Sequence, residues 1–146
     1  MSEEPRRAEL FQLDRATCLA LLATQPVGRL VTGTTDSPVV VVNYVVHDGA
    51  IVFRSDTSAR VAAIVDSTVA FEADTYDART RSGWSVVVRG TARDITWSTD
   101  GEPPPEVDAW TPGPKNRWLR ITVEEITGRL LRGEVPASWV NSDAYL

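Results

Sequence analysis

The sequence predicts a mainly β protein, folded as an antiparallel sandwich or barrel, and three observations support this. Six segments of the chain have the composition of strands, and most are joined by short turns of the hairpin type. The apolar fraction of 42% is typical of a globular protein. The most apolar segments, 39–46 and 84–88, lack a clean alternation of apolar and polar residues, which indicates strands covered on both faces.

The length of 146 residues fits a single domain over 1–146, and its elements can be assigned in order. A helix comes first, because Asp14 can cap it, Cys18 begins an apolar stripe, and Pro26 lies just beyond its end. We then predict strands over 28–34, 39–47, 50–55, 69–74, 83–95 and 118–131, with a short helix over 57–65. Peripheral tails are expected at 1–12 and 133–146.

Two connections between these elements have a recognisable character. Asp48-Gly49 is a strong signal for a two-residue hairpin between the second and third strands. The segment 97–116 contains five prolines and is predicted to be a loop, in which 105–110 could form one helical turn. Large aromatic residues usually belong to a core or an interface, and Trp110 in this loop and Trp84 in the fifth strand are the tryptophans best placed to line a binding site instead.

Composition and charge exclude several classes of function. The formal net charge is −5, so the overall field does not attract nucleic acid or an anionic membrane surface. Cys18 is the single cysteine and His47 the single histidine, which excludes an intramolecular disulfide and a zinc site built from several thiolates. The sequence contains no run of about 18 apolar residues, so no membrane span is predicted. We therefore expect a cytoplasmic protein without a nucleic-acid or membrane partner.

The apolar strands also predict an oligomer. One face of 39–46 and of 84–88 would line the interior of the fold, and the other face needs a cover. The chain has too few helices to supply that cover. A second subunit is the economical answer, and we expect a homodimer packed sheet against sheet.

The segment 54–60 has the composition of a phosphate-binding site. A strand end there leads into a helix start, and Ser55, Thr57 and Ser58 add hydroxyl donors. Arg54 and Arg60 can make charge-assisted contacts with phosphate oxygens. The same residues also fit a second interpretation, in which a serine or threonine only caps the helix and both arginines lie in solvent. The residues alone leave both interpretations open.

Six segments in order carry a resemblance to a known family: Val27-Gly28-Arg29-Leu30; 38–46; 51–55 with Ser58-Ala59-Arg60; 69–74; 83–90; and 118–121 leading to 126–129. From about Leu13 to Leu131 the chain resembles the flavin-binding split-barrel family that is similar to pyridoxamine 5′-phosphate oxidase. This resemblance implies a mainly β, six-stranded antiparallel split barrel with a few short helices. It also implies a dimer that binds FMN in a groove between its subunits.

The resemblance implies three groups of cofactor-binding residues. The isoalloxazine ring would lie along the second strand, lined by Val41, Val42, Asn43 and Tyr44. The phosphate would be held by Ser55, Ser58 and Arg60, with Arg54 assisting. The groove would be closed, or completed from the partner subunit, by Trp84 and Ser85. The resemblance requires no catalytic acid or base, and we assign no metal ligand.

The function implied is that of an FMN-dependent oxidoreductase whose cofactor carries the redox chemistry. Relatives often carry a Gly-Thr-Lys-like triplet where this chain has Ser58-Ala59-Arg60. The departure keeps two alternatives open: a deazaflavin as the cofactor, and a degenerate member without a cofactor. A flavin-binding protein without catalysis, with the same fold and dimer, is a third alternative.

Overall fold

The computed structural model describes residues 7–34, 38–97 and 102–133. Within these residues the chain forms eight strands and two helices. In chain order they are β1 (Glu9–Leu13), α1 (Arg15–Leu22), β2 (Val27–Val31), β3 (Val39–His47), β4 (Ala50–Ser55), α2 (Ala59–Ile64), β5 (Thr68–Asp77), β6 (Ser82–Asp94), β7 (Arg117–Ile121) and β8 (Glu125–Arg132). Neither helix in the described part of the chain has the length and apolar character needed to cross a membrane.

Six strands close a barrel in the order β6-β5-β2-β3-β4-β7, and β7 returns to β6. All these pairs are antiparallel. Strand β6 makes the closure possible because it pairs with β8 over 83–89 and with β7 over 92–94. The predicted mainly β, six-stranded antiparallel barrel with short helices is therefore confirmed.

The largest differences between the structure and the sequence prediction concern two strands, while β2 ends three residues earlier and β5 three residues later than predicted. The strand predicted over 118–131 is divided into β7 and β8, because the backbone at Thr122 crosses β6 beside Gly90 and Thr91. Strand β1 lies largely within the segment predicted as an N-terminal tail and pairs with β8 at the edge of the sheet. The C-terminal tail prediction falls outside the described residues, apart from Gly133.

Local signals explain most element boundaries. Asp14 caps α1 through its Oδ1, which accepts a hydrogen bond from the Thr17 N–H at 2.8 Å. Asp48 and Gly49 have φ values of 50° and 72°, as a two-residue hairpin turn between β3 and β4 requires. The predicted helical turn at 105–110 is absent. There the Pro105 and Val107 carbonyls accept side-chain hydrogen bonds instead.

The barrel interior is filled by apolar side chains that alternate inward along each strand. Phe53, Phe71 and Leu119 are among the largest buried residues. Tyr44 packs edge-on against Phe71, with ring centroids 4.7 Å apart. Cys18 of α1 is fully buried against the same core, as predicted for a small apolar residue.

Candidate cofactor site

A small cavity of about 50 Å³ lies where β2, β3 and β4 meet α2, and we call it the Ser58 cavity. Its polar lining consists of Thr32, Thr34, Ser55, Ser58 and Arg60. Ser55 reaches it because it shares the inward face of β4 with the buried core. The structure thus brings together the three residues expected to hold a phosphate.

The Ser58 hydroxyl decides between the two interpretations of this segment. Ser58 occupies the N-cap position of α2, yet its side chain makes no capping hydrogen bond. Its Oγ is buried and meets the distance and angle criteria for a hydrogen bond with no other described residue. The Asp56 carboxylate is nonetheless close, since its Oδ1 accepts the Ser58 N–H at 3.0 Å, and hydrogen bonding with Ser58 is the largest cause of the lowered pKa of Asp56. A buried hydroxyl left without a partner costs about 1–3 kcal/mol. This arrangement does not fit a simple capping serine, and it leaves a donor available to a ligand in the cavity.

Arg54 is a correction to the sequence prediction, because it turns away from the Ser58 cavity. Its Nε and Nη2 donate to the Lys115 carbonyl at 3.1 and 2.9 Å, and its Nη1 donates to the Val107 carbonyl at 3.3 Å. The guanidinium also stacks over Trp118, 4.6 Å from the ring centroid. Arg54 therefore anchors the proline-rich segment instead of assisting at a phosphate.

The four β3 residues expected to line the isoalloxazine ring do not share a face. Val42 lines the Ser58 cavity, whereas Val41 lies on the outer face and is 65% exposed. Tyr44 is only 3% exposed, and its hydroxyl donates to the Leu22 carbonyl at 2.5 Å. Burial raises the pKa of this phenol. Tyr44 can therefore offer a cofactor only backbone atoms, and its place beside the isoalloxazine ring stays a prediction.

Asn43 links β3 to the proline-rich segment. Its Nδ2 donates to the Pro26 carbonyl at 3.1 Å, and its Oδ1 accepts from the Trp110 N–H at 2.8 Å. The Trp110 side chain remains 62% exposed. This hydrogen bond holds the Trp110 backbone next to β3, the strand predicted to lie along the isoalloxazine ring, and leaves the indole side chain exposed.

Trp84 and Ser85 lie in a different place, an open groove of about 460 Å³ that we call the outer groove. Leu10, Tyr76 and Leu131 contribute apolar surface to it. Neither Trp84 nor Ser85 lines the Ser58 cavity. Within one chain the predicted cofactor residues are therefore divided between two separate surfaces.

The outer face of the sheet carries an ion-pair cluster. Arg29 Nη2 lies 2.7 Å from Glu72 Oε2 and 2.8 Å from Asp74 Oδ1. Burial is the largest contribution to a raised pKa at Glu72. The pKa of Asp74 is lowered, chiefly by its hydrogen bond with Glu72. Glu72 and Asp74 share a face as predicted, but Arg29 ties both of them down.

Arg117, which the sequence analysis did not single out, lies close to the candidate site. It lines a cavity of about 270 Å³, which we call the Arg117 cavity. Its Nη1 lies 2.9 Å from Asp94 Oδ2, and Asp94 Oδ1 accepts from the Thr96 N–H at 2.9 Å. Burial alone would raise the pKa of Asp94, but the hydrogen bonds from Thr96 and the charge of Arg117 hold it below its ordinary value. Arg117 pairs directly with Ser55, a relation between β4 and β7 that local patterns do not reveal.

No group of three or more metal-ligating side chains is clustered within the described residues. The candidate site therefore consists of hydroxyl and guanidinium donors around a cavity, which is chemistry suited to an anionic group. It contains no arrangement of side chains that we assign to proton transfer.

Comparisons with known proteins identify the family and the fold. The family model described as pyridoxamine 5′-phosphate oxidase matches residues 14–130. An uncharacterised protein of Mycobacterium tuberculosis is 38% identical over 109 residues, covering 66% of this chain and 72% of that protein. Among solved structures, the FAD-binding protein of Mycobacterium smegmatis is 27% identical with a TM-score of 0.64, covering 84% of this chain and 98% of that one. A proposed pyridoxamine 5′-phosphate oxidase of Corynebacterium glutamicum is 30% identical with a TM-score of 0.65, covering 85% and 94%.

Proposed function

The chain belongs to the pyridoxamine 5′-phosphate oxidase family of flavin-binding split-barrel proteins, and from this we propose that it is an FMN-dependent oxidoreductase that acts as a homodimer. The observation that carries the proposal is the buried Ser58 hydroxyl without a partner in a cavity shared with Ser55 and Arg60. The similarity to a flavin-binding structure from Mycobacterium smegmatis supports the class of cofactor.

The residues of the Ser58 cavity fit the phosphate of FMN. A phosphate oxygen would accept the hydrogen bond that Ser58 Oγ does not make within the protein. Ser55 adds a second hydroxyl, and Arg60 adds a forked cation in a chain whose net charge is −5. A local cation is needed because the overall field of the protein repels an anion.

When bound, the flavin supplies hydride or electron transfer, and the protein supplies binding and orientation. The β3 backbone from Val41 to Asn43 pairs with β2 on one edge, and the pairing of β3 with β4 begins only at Tyr44, so the other edge of this stretch is available to the ring. Trp110, tied to Asn43, is placed to form a wall beside that strand. We assign no acid or base to this chain.

The homodimer is proposed from the outer face of the sheet. Val41, Arg29, Glu72 and Val87 lie in one row across β3, β2, β5 and β6. Val41, Val87, Val31 and Val39 are exposed on this face, and Val39 is 56% exposed. A row of exposed apolar residues around an internally paired ion cluster is typical of a protein-protein interface. A partner on this face would also bring its outer groove, with Trp84 and Ser85, toward the β3 strand.

Replacing Val41 with arginine is expected to convert the dimer to a monomer, because an unpaired charge would be buried at the centre of the interface. Sedimentation velocity would measure the change. Ala20→Arg, at an exposed position of α1, is the matched control and should remain dimeric. A wild-type monomer, or a Val41→Arg variant that stays dimeric, would contradict the proposed interface.

The absorption spectrum of the purified protein tests the proposed function. We expect the bands of oxidised flavin, either as purified or after adding FMN, and turnover with NADH or NADPH would identify an oxidoreductase. Uptake of a deazaflavin instead of FMN would favour the alternative cofactor, and bound flavin without turnover would favour a binding protein. A colourless protein that takes up none of these cofactors would exclude the proposal.

A further inference from the structure

We propose that Arg117 and its cavity form a second anionic subsite, which takes the second phosphate of a flavin that carries a diphosphate tail. This inference rests on the proposed function and refines its cofactor from FMN to FAD, whose first phosphate would be the one held by Ser55, Ser58 and Arg60. It assigns a binding role to Arg117 and a positioning role to Asp94.

The position of the Arg117 cavity relative to the Ser58 cavity is the first argument. Both cavities are lined by Ser58 and Val61, so the two cavities are neighbours. Ser55 lines one cavity and Arg117 lines the other, and these two residues are direct partners in the β4–β7 pairing. A ligand anchored in the Ser58 cavity can therefore continue past Ser58 toward Arg117.

The volumes of the two cavities are the second argument. The Ser58 cavity holds about 50 Å³, and the Arg117 cavity holds about 270 Å³. A cavity needs roughly 10–15 Å³ of such volume to hold one water molecule. The smaller cavity therefore suits one compact group, whereas the larger one has room for a further phosphate together with the sugar attached to it.

The chemistry of Arg117 is the third argument. Asp94 engages Nη1 at 2.9 Å, and the Arg117 side chain is 33% exposed. A guanidinium has five N–H donors in a rigid fork, so donors remain for a phosphate after the contact with Asp94. Asp94 is itself held by the Thr96 N–H, and this fixes the direction of the fork.

The charge balance indicates a tethered group in place of a free anion. Asp94 remains ionised at neutral pH because its pKa is lowered, so the pair that it forms with Arg117 has no net charge. Such a pair attracts a free phosphate only weakly. A second phosphate on a cofactor that is already anchored at Ser58 arrives at a high effective concentration and can bind through hydrogen bonds alone.

The test compares the affinities of FAD and FMN, measured by titration of flavin fluorescence, in the wild type and in Arg117→Gln. We expect the wild type to bind FAD more tightly than FMN. Arg117→Gln should weaken FAD binding by about tenfold or more, as loss of a charge-assisted hydrogen bond predicts, and should change FMN affinity by less than about twofold. Arg93→Gln is the matched control, because Arg93 is also paired with an aspartate, Asp66, at 2.6 Å but lines neither cavity.

Arg117→Lys keeps the charge and the pair with Asp94, and it serves if the glutamine variant does not fold. It should lose part of the preference for FAD, because an ammonium lacks the fork. Equal losses for FAD and FMN, or no loss for either, would overturn the subsite while leaving the proposed function in place. A wild type that binds neither flavin would overturn the proposed function and the subsite together.

Discussion

Replacing Arg60 with alanine is expected to weaken FMN binding by about 10- to 100-fold, because a hydrogen bond to a charged group contributes about 1.5–3 kcal/mol. Arg60 is the only cationic side chain of the described residues that lines the Ser58 cavity. Arg54, which the sequence offered as a second cation, is committed to the Lys115 and Val107 carbonyls. Isothermal titration with FMN would measure the loss.

The control for this variant is Arg93→Ala, which removes an exposed arginine that is paired with Asp66. It should leave FMN affinity unchanged. Arg60 is itself exposed, so Arg60→Ala should not lower the midpoint of urea unfolding appreciably. Unchanged FMN affinity in a folded Arg60→Ala protein would mean that the phosphate is held elsewhere.

Replacing Gly90 with alanine is expected to cost about 3 kcal/mol of folding free energy. A Cβ at this position would lie 1.5 Å from the Thr122 carbonyl oxygen and 2.7 Å from its carbonyl carbon. The Thr122 backbone cannot easily move aside, because its N–H donates to the Thr91 carbonyl at 3.1 Å. These contacts occur where β6 changes partners from β8 to β7, so the substitution acts on the closure of the barrel.

Urea unfolding measures this effect through a shift of the midpoint at an unchanged slope. Gly33→Ala is the matched control, because a Cβ there would meet no atom within 4 Å and φ is not positive. It should change the free energy of unfolding by less than about 0.5 kcal/mol. Equal stability of the two variants would contradict the close approach at Gly90.

The parts of the fold that follow from local signals could be predicted from the sequence. The Asp48-Gly49 hairpin and the Asp14 cap are examples, because each depends on residues adjacent along the chain. Strand β1 was missed because it depends on pairing with β8, more than a hundred residues away. The division of 118–131 was missed because its cause is the distant crossing at Gly90.

The site was harder to predict for a related physical reason. Segment 39–46 is apolar apart from Asn43, so its pattern does not mark which side chains point inward, and a shift of one residue exchanges the faces. The resemblance places the whole strand along the cofactor ring without separating its two faces, so Tyr44 was named with its neighbours although its side chain lies in the core. Arg54 was misplaced and Arg117 missed because their roles depend on contacts between β4 and the residues that follow position 106.

The most direct test of the central claim, that the Ser58 cavity holds a flavin phosphate, is to compare the affinity of the wild type for FMN and for riboflavin. The two ligands share the ring and the ribityl chain, and only FMN carries the phosphate. We predict that FMN binds at least about 100-fold more tightly, because the phosphate pairs with the buried Ser58 hydroxyl and with Arg60. Equal affinity for FMN and riboflavin would contradict the account.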